Sequence, residues 1–499
     1  MSAAIASDNK SMLDRLEDKT RIAGAGEGSP EAHKLRVLVG IASYGTGHLK
    51  YLKQMIQTYQ SMAMEVHVVV FTEAGKALGT GVEEIVGLPS RNPWTLPFAH
   101  KPVFAQRVDQ YDLFIYTEDD IGVSERQIRA FLKATSELPP DEIAGFLRYE
   151  VDKTGTWLLT EPWGRYHWKP ESVRRRGSYT VAEFTNEHAG FYMLTSAQLR
   201  RAITSGGFVR SPYRGRYSWP ETAATDPYTG CGFRKVICIS ALKDFLVHHM
   251  PNRYAEVLPV SLAAFEEQIE ILVRIRDGLH PAKALCAVES ALWPSWWQKS
   301  YYEAPGRELL EMIPPGARSV LSIGCGWGLT EAELQRRGAK VTAVPLDSII
   351  GAVAERRGIK AVYGTWDECV KLLEGQRFDC VFVKDLLHLQ RHPEQVVEQI
   401  SGLVAEGGSL VCAGPNFDRA PWRLKRALGI DGFDKLRSFE SGGFSICVPR
   451  TLARPIEKAG LRIQDVRWLN HDLNQPGLHG IRLRLGGLTA REWILQARR

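Results

Sequence analysis

The sequence predicts an α/β protein built on two doubly wound, largely parallel sheets, one after the other in the chain. Three observations predict it. From about residue 36, β-branched apolar runs alternate with stretches whose apolar residues recur at helical spacing. A second alternating series begins after the strong punctuator Pro314-Pro315-Gly316. In each series one strand runs straight into a turn that carries chemistry: consecutive acids at Glu118-Asp119-Asp120, and a glycine-rich turn at Gly324-Cys325-Gly326-Trp327-Gly328.

In the first series, residues 1–34 are polar and rich in Gly, Ser and Ala, and read as a mobile arm. RVLVGIASYG is the first strand, and the stretch after it places Leu49, Leu52, Met55, Ile56 and Tyr59 on one helical face. VHVVVFTE is the second strand and DLFIYTEDDI the third, ending in the acids. SERQIRAFLKATSEL starts on a Ser cap and reads as a helix. AGFLRYEV and AGFYMLT are further strands, and SAQLRRAITSG is a helix with a Ser start and a Gly stop. A long amphipathic helix runs from about Leu262 to Asp277. An aromatic stretch with Trp293, Trp296 and Trp297 follows; a seam between the domains, or contact with a membrane interface, are the two roles open to it.

The second series is a complete alternation: strand SVLSIG, helix EAELQRRG, strand KVTAVPLD, helix SIIGAVAERRG, strand KAVYG, a helix, strand FDCVFVKD, helix EQVVEQISGLVAEGG and strand SLVCAG. The expected organisation is an arm (1–34), a first domain (35–255), a helical and aromatic linker (256–304) and a second domain with a C-terminal extension (305–499). The tail from about Asn416 is expected to complete the second sheet and its substrate lid.

Composition sets limits on function. The 499 residues are 44% hydrophobic and 24% charged, enough to bury a core without disulfide staples. The formal net charge is +6, and the densest basic run, Arg174-Arg175-Arg176, is too short for a nucleic-acid stripe and reads as a solvated loop. None of the eight cysteines forms a CxxC pair, so a zinc ribbon has no support, and buried free thiols suit a reducing cytoplasm. No apolar stretch approaches the ~20 residues of a spanning helix, and the first residues lack the apolar core of a signal peptide.

The glycine turn is flanked by a strand and a helix, and Asp347 closes the next strand about 20 residues on, where an acid binds ribose hydroxyls. From about Trp297 to Pro415 the chain closely resembles class I S-adenosylmethionine-dependent methyltransferases. Their pattern is (D/E/S)xGxGxG after the first strand, met here by Ser322, Gly324, Gly326 and Gly328, with Ser322 where an acid is common. The resemblance implies that the glycine turn passes under the methionine part and that Asp347 holds the ribose. It places Trp366 and Asp367 beside the adenine, Asp385 and His388 at the strand exit facing substrate and cofactor, and Tyr301 and Tyr302 over the cofactor. His388 is the candidate base for a hydroxyl acceptor, its alternative being a histidine packed against the sheet. A nicotinamide dehydrogenase shares the glycine fingerprint; the GCGWG spelling and the DLLHL exit favour the methyl donor.

Consecutive acids at the end of a buried strand are costly unless a cation neutralises them. Residues 35–255 resemble nucleotide-sugar-dependent glycosyltransferases of the GT-A fold, whose Asp-x-Asp-type motif corresponds here to Glu118-Asp119-Asp120. The resemblance implies that Glu118 and Asp120 bind a divalent metal (Mn²⁺ or Mg²⁺), with a further ligand from His248 or His249. Adjacent strand residues face opposite ways, so at most one of the two serves, His249 by preference. Ser43, Tyr44 and Asp119 would face the nucleotide sugar. Asp226 and Glu187 are the candidate bases that deprotonate an acceptor hydroxyl in an inverting transfer. The aromatic and arginine-rich stretches EPWGRYHWKP and PYRGRYSWP suit a carbohydrate site or simple loop packing.

Together these features predict a cytoplasmic bifunctional enzyme. It would transfer a sugar from a nucleotide-sugar donor and a methyl group from S-adenosylmethionine to a glycan or glycoconjugate, with no nucleic-acid partner. Two other readings stay open: a methyltransferase whose first domain only binds a glycan or nucleotide sugar, and a non-catalytic scaffold of two retired enzyme domains.

Overall fold

The computed structural model describes residues 34–162, 165–257, 260–286, 297–430, 433, 436, 438–471 and 487–499. The arm, Trp293 and Trp296 therefore lie outside the described residues. The chain divides into two compact units, one ending at Ile269 and the next starting at Glu270.

The first unit is built on β1 (Arg36–Ser43), β2 (Glu65–Thr72), β3 (Val82–Val86), β4 (Leu113–Glu118), β5 (Ile121–Gly122), β6 (Glu142–Ala144), β7 (Leu147–Val151), β8 (Trp157–Leu159), β9 (Arg174–Arg176), β10 (Tyr179–Ala182), β11 (Phe191–Thr195), β12 (Arg234–Cys238) and β13 (Leu246–His249). Its main sheet has the order β11-β4-β1-β2-β3, parallel except for β11. β1 is apolar on both faces, with Val37, Leu38, Val39 and Ile41 all fully buried, as a central parallel strand requires. The helix Leu49–Gln60 packs Leu52, Met55, Ile56 and Tyr59 inward, matching the helical spacing in the sequence.

The run AGFLRYEV is split between two smaller sheets. β6 pairs with β12, while β7 pairs with β13 in a sheet of order β5-β13-β7-β8. The arginine run is not a solvated loop. It is strand β9, and its alternation turns Arg174 and Arg176 onto the fully buried Glu142 while Arg175 faces water. Arg234 reaches the same carboxylate at 3.0 Å, so this basic cluster is structural.

The second unit contains β14 (Ser319–Cys325), β15 (Lys340–Pro345), β16 (Lys360–Ala361), β17 (Phe378–Lys384), β18 (Val404–Pro415), β19 (Arg462–His471) and β20 (Ala490–Arg498). They form one sheet of order β16-β15-β14-β17-β18-β20-β19, parallel through β18 and closed by two antiparallel strands from the tail. The eight cysteines are all free thiols, seven of them buried. No helix among the described residues is long and apolar enough to cross a membrane.

Candidate active sites

In the first unit, β4 leaves the sheet at Glu118 and the chain turns through Asp119 and Asp120 into β5. Both aspartates are buried, at 7% and 6% exposure. Three neighbouring elements converge on them. Ser43, at the end of β1, donates its Oγ–H to Asp119 Oδ2 at 2.6 Å. His48, on the loop after β1, sets its Nδ1 3.0 Å from Asp119 and 3.3 Å from Asp120. β13 pairs antiparallel with β5, His249 opposite Ile121, which brings His249 Nε2 within 3.3 Å of Asp120.

Strand alternation sends His248 the other way, onto the ring of Tyr149 and the Asn252 side chain. His248 is thus turned away from the acids, and of the two histidines it is His249 that lies beside Asp120. Burial opposes a charged His249 ring, but hydrogen bonds to Asp120 and Glu150 raise its pKa to about 9. Burial and the neighbouring Asp120 charge push Glu118 up to about 7. Burial likewise raises Asp119 against the Ser43 hydrogen bond.

The Oδ1 atom of Asp120 is buried with no hydrogen-bond partner among the described residues. Ligand atoms of His48, Asp119 and Asp120 lie within 4.8 Å of one another. Arg253 donates to His48 Nε2 at 3.1 Å, which leaves the His48 proton on Nδ1, facing the carboxylates. The cluster opens into a cavity of about 320 Å³ that Tyr44, Trp94 and Glu118 also line. Gly190 makes the crowding possible: its φ is +62°, and a Cβ there would lie 3.2 Å from Glu118 Oε2.

The proposed bases sit differently. Asp226 is fully buried inside the helix Trp219–Thr229, paired with the buried Lys101 and accepting from Tyr213 Oη–H at 2.5 Å. Its carboxylate oxygens are taken up by Lys101 and Tyr213 in the core, so the structure gives it a packing role in place of the base expected from sequence. Glu187 is half-buried, accepts from Tyr217 Oη–H and lies 3.4 Å from Arg216. His48 and Trp94 were missed by sequence reasoning. His48 stands just after Ser43 and Tyr44, which were expected to face the nucleotide sugar, but only the β1–β4 pairing shows how near the acids it comes.

In the second unit, the glycine turn follows β14 as expected. Gly324 and Gly328 have φ of +80° and +84°. A Cβ on Gly326 would lie 2.5 Å from the carbonyl oxygen of Tyr301, which accepts from Trp327 N–H at 3.0 Å. The buried Tyr301 and Tyr302 thus lie against the turn. Asp347 is buried at the exit of β15, where its Oδ1 accepts from the N–H groups of Ile349 and Ile350 and caps the helix Ser348–Glu355. Ser322 donates to Glu331 at 2.5 Å, so a buried carboxylate from the following helix stands beside the position where an acid is common.

Asp385 holds a left-handed conformation, φ +53°, where β17 ends, and lies 3.4 Å from Lys384 Nζ. Trp366 and Asp367 open the helix Trp366–Leu372, with the Trp366 indole N–H turned to Gln399 at 2.6 Å. His388 is 1% exposed; its Nε2–H donates to the Trp297 carbonyl and its ring stacks on Phe444. Burial lowers its pKa. This is the packed histidine that stood as the alternative to a base. Sequence reasoning missed the half-buried Glu303, which pairs with Lys299 four residues before it and with Lys384 from the end of β17; the second partner comes from a separate segment.

A parallel sheet with a glycine turn after its first strand and an acid after its second defines a doubly wound, nucleoside-binding type of domain. Comparison with known proteins makes this specific. Residues 297–466 match the family model described as "Methyltransferase domain", and this part of the chain is a class I methyltransferase domain. The chain is 28% identical over 192 residues to a ubiquinone biosynthesis O-methyltransferase of Xanthomonas axonopodis pv. citri, covering 36% of this chain and 80% of that protein. It is 32% identical over 136 residues to an uncharacterized methyltransferase of Mycobacterium bovis, covering 26% of this chain and 66% of the other. A solved SAM dependent methyltransferase from Archaeoglobus fulgidus aligns over 39% of this chain and 90% of its own, at 16% identity and a TM-score of 0.30.

Proposed function

We propose that the chain is a two-site transferase: an S-adenosylmethionine-dependent methyltransferase in its second unit and a divalent-metal-dependent nucleotide-sugar glycosyltransferase in its first, acting on a glycan or glycoconjugate. The methyltransferase half is supported by the family match together with the left-handed glycine turn and the buried Asp347 at the next strand exit. That donor set fits a nucleoside: backbone N–H groups at a helix start and a carboxylate for vicinal hydroxyls. When bound, S-adenosylmethionine supplies a methyl group already activated on a sulfonium sulfur. Transfer would join that methyl carbon to an acceptor lone pair, leave the electrons of the broken carbon–sulfur bond on sulfur and release one proton from the acceptor. The residues' contribution is alignment: Asp347 and the turn fix the nucleoside, and the Asp385 exit orients the acceptor.

The observation that carries the sugar-transfer half is the orphaned, buried Asp120 Oδ1 facing a cavity beside two further carboxyls. Oxygen ligands from Asp119 and Asp120 suit a hard cation, with His48 and His249 at its rim. A bound divalent cation would neutralise the diphosphate leaving group; Ser43 holds Asp119 in place for it, and Tyr44 and Trp94 flank the cavity. Glu187 is the remaining candidate base.

Incubation of the full chain with methyl-labelled S-adenosylmethionine and a panel of nucleotide sugars, with Mn²⁺ or Mg²⁺, tests both halves. Metal-dependent donor turnover lost in Asp120→Asn is the expected result. Methyl transfer with no donor turnover under any of these conditions would leave the first unit a binding module.

A further inference from the structure

The segment from Arg419 to Ile430, RAPWRLKRALGI, holds four cations and no acid. Within it Ala420–Leu428 is a helix, shortly after Pro415 ends β18. An ordinary surface helix turns its aliphatic side chains to the core and its polar ones to water. Here Trp422 is the buried residue of the helix, at 8% exposure. It packs edge to face on Trp297, centroids 5.0 Å apart, with Phe417 at 6.3 Å. Trp297 is itself 5% exposed, so it anchors this helix and does not meet a membrane interface directly.

The leucines face the other way. At 3.6 residues per turn, Ala420, Pro421, Leu424, Ala427 and Leu428 fall within an arc of about 120°, on the side of the helix opposite Trp422. All five are exposed, Leu424 by 60% and Leu428 by 62%. Gly429, left-handed at φ +63°, ends the helix, and Ile430, 46% exposed, continues the apolar surface. A single exposed leucine needs no explanation; three large aliphatic side chains on one short helix and its exit do. Cations border the stripe. Arg423 is exposed on one edge and Arg426 half-buried beyond it, and neither forms an ion pair among the described residues. On the other edge Lys425 lies 5.7 Å over the Phe433 ring. Asp418, the acid nearest before the helix, is taken by Arg450 at 2.8 Å.

We propose that the outward face of the helix Ala420–Leu428 docks the chain on an anionic lipid surface. Leu424, Leu428 and Ile430 enter the boundary between headgroups and acyl chains, and Arg423 and Arg426 reach lipid phosphates beside them. Their guanidinium forks suit phosphate oxygens. A second copy of the chain fits this face less well. The helix has nine residues and is only about 14 Å long. It offers a fraction of the roughly 800 Å² per partner that a stable dimer buries. A twofold pairing would also set the arginines of each copy against those of the other. A bilayer supplies apolar depth and negative charge together.

Co-sedimentation of the full chain with lipid vesicles tests this. One set of vesicles is phosphatidylcholine alone; the other carries phosphatidylglycerol as about a third of its lipid. Binding to the anionic set is expected to be at least about tenfold tighter. Leu424→Ser combined with Leu428→Ser, and separately Arg423→Gln combined with Arg426→Gln, are each expected to weaken it by about tenfold or more. Circular dichroism and melting temperature unchanged in both double variants check that the fold is kept. Binding to neither set, equal binding to both, or affinity unchanged in either double variant overturns the proposal. So does a concentration-dependent dimer, in the absence of lipid, that the leucine variant abolishes while vesicles go unbound. No arm of the experiment needs a methyl or sugar donor, so the docking surface stands or falls apart from the two activities proposed above.

Discussion

Asp120 places a buried carboxylate oxygen, without a hydrogen-bond partner among the described residues, beside Asp119 and Glu118. Such a group is costly unless a cation or proton arrives. Asp120→Asn removes one charge without changing shape. It is expected to abolish the rise in melting temperature on adding Mn²⁺ and to lower sugar-donor turnover by at least about 100-fold; unchanged Mn²⁺ stabilisation would rule out the cluster as the metal site. Asp226 tells the opposite story, because the Lys101 ammonium already answers it in the core. Lys101→Met leaves that carboxylate uncompensated and should cost about 3–5 kcal/mol in urea unfolding. Pairing it with Asp226→Leu should recover most of the loss, a result a catalytic base would not predict.

The β5–β13 pairing and the glycine turn are the elements that assemble the two sites. The β5–β13 register, His249 opposite Ile121, decides which of two adjacent histidines meets the acids. In the second unit, Gly326→Ala would drive a methyl group into the Tyr301 carbonyl. The segment around Tyr301 must then move off the turn, and S-adenosylhomocysteine affinity should fall at least tenfold by calorimetry; an unchanged affinity would mean this packing does not shape the site. Strand β12 carries Lys235, which is buried and donates to the backbone carbonyls of Asn186 and Glu187. Burial lowers its pKa to about 8. Below pH 8 both folded and unfolded chains hold the proton, and the burial cost is felt in full. Between about pH 8 and the ordinary lysine value near 10.4 the folded chain loses the proton first, so this group's contribution to stability rises with pH. Lys235→Met should remove that rise in denaturant midpoints measured from pH 7 to 10.

For the whole molecule, the two chemistries proposed above predict separable losses. Asp347→Ala in the full chain is expected to remove S-adenosylhomocysteine binding and methyl transfer while metal-dependent donor turnover continues. Asp120→Asn should do the converse. A single substitution that silences both activities, with the fold intact by circular dichroism, would contradict two separate sites. Ligand stabilisation follows the same logic: S-adenosylhomocysteine at 100 times its dissociation constant should add about 2.7 kcal/mol to the unit that binds it.

Local pattern was enough to place the α/β alternation, the glycine turn and the acid run, because apolar period, left-handed glycine and strand-end acids are properties of contiguous residues. The same holds for Asp347, which follows the turn at a fixed distance along one βαβ unit and stands buried at the strand exit as read. The tail strands β19 and β20 carried a weaker signal, since β20 pairs with β18 far earlier in the chain and β19 joins the sheet only through β20. Tertiary structure alone decided which side chains meet. It turned Arg174 and Arg176 onto a buried glutamate, paired Asp226 with Lys101 and sealed His388 among aromatics. The reason is physical. A residue's conformation is biased by its neighbours in sequence, whereas its charge, exposure and partners are set by groups that only long-range packing brings within a few ångströms.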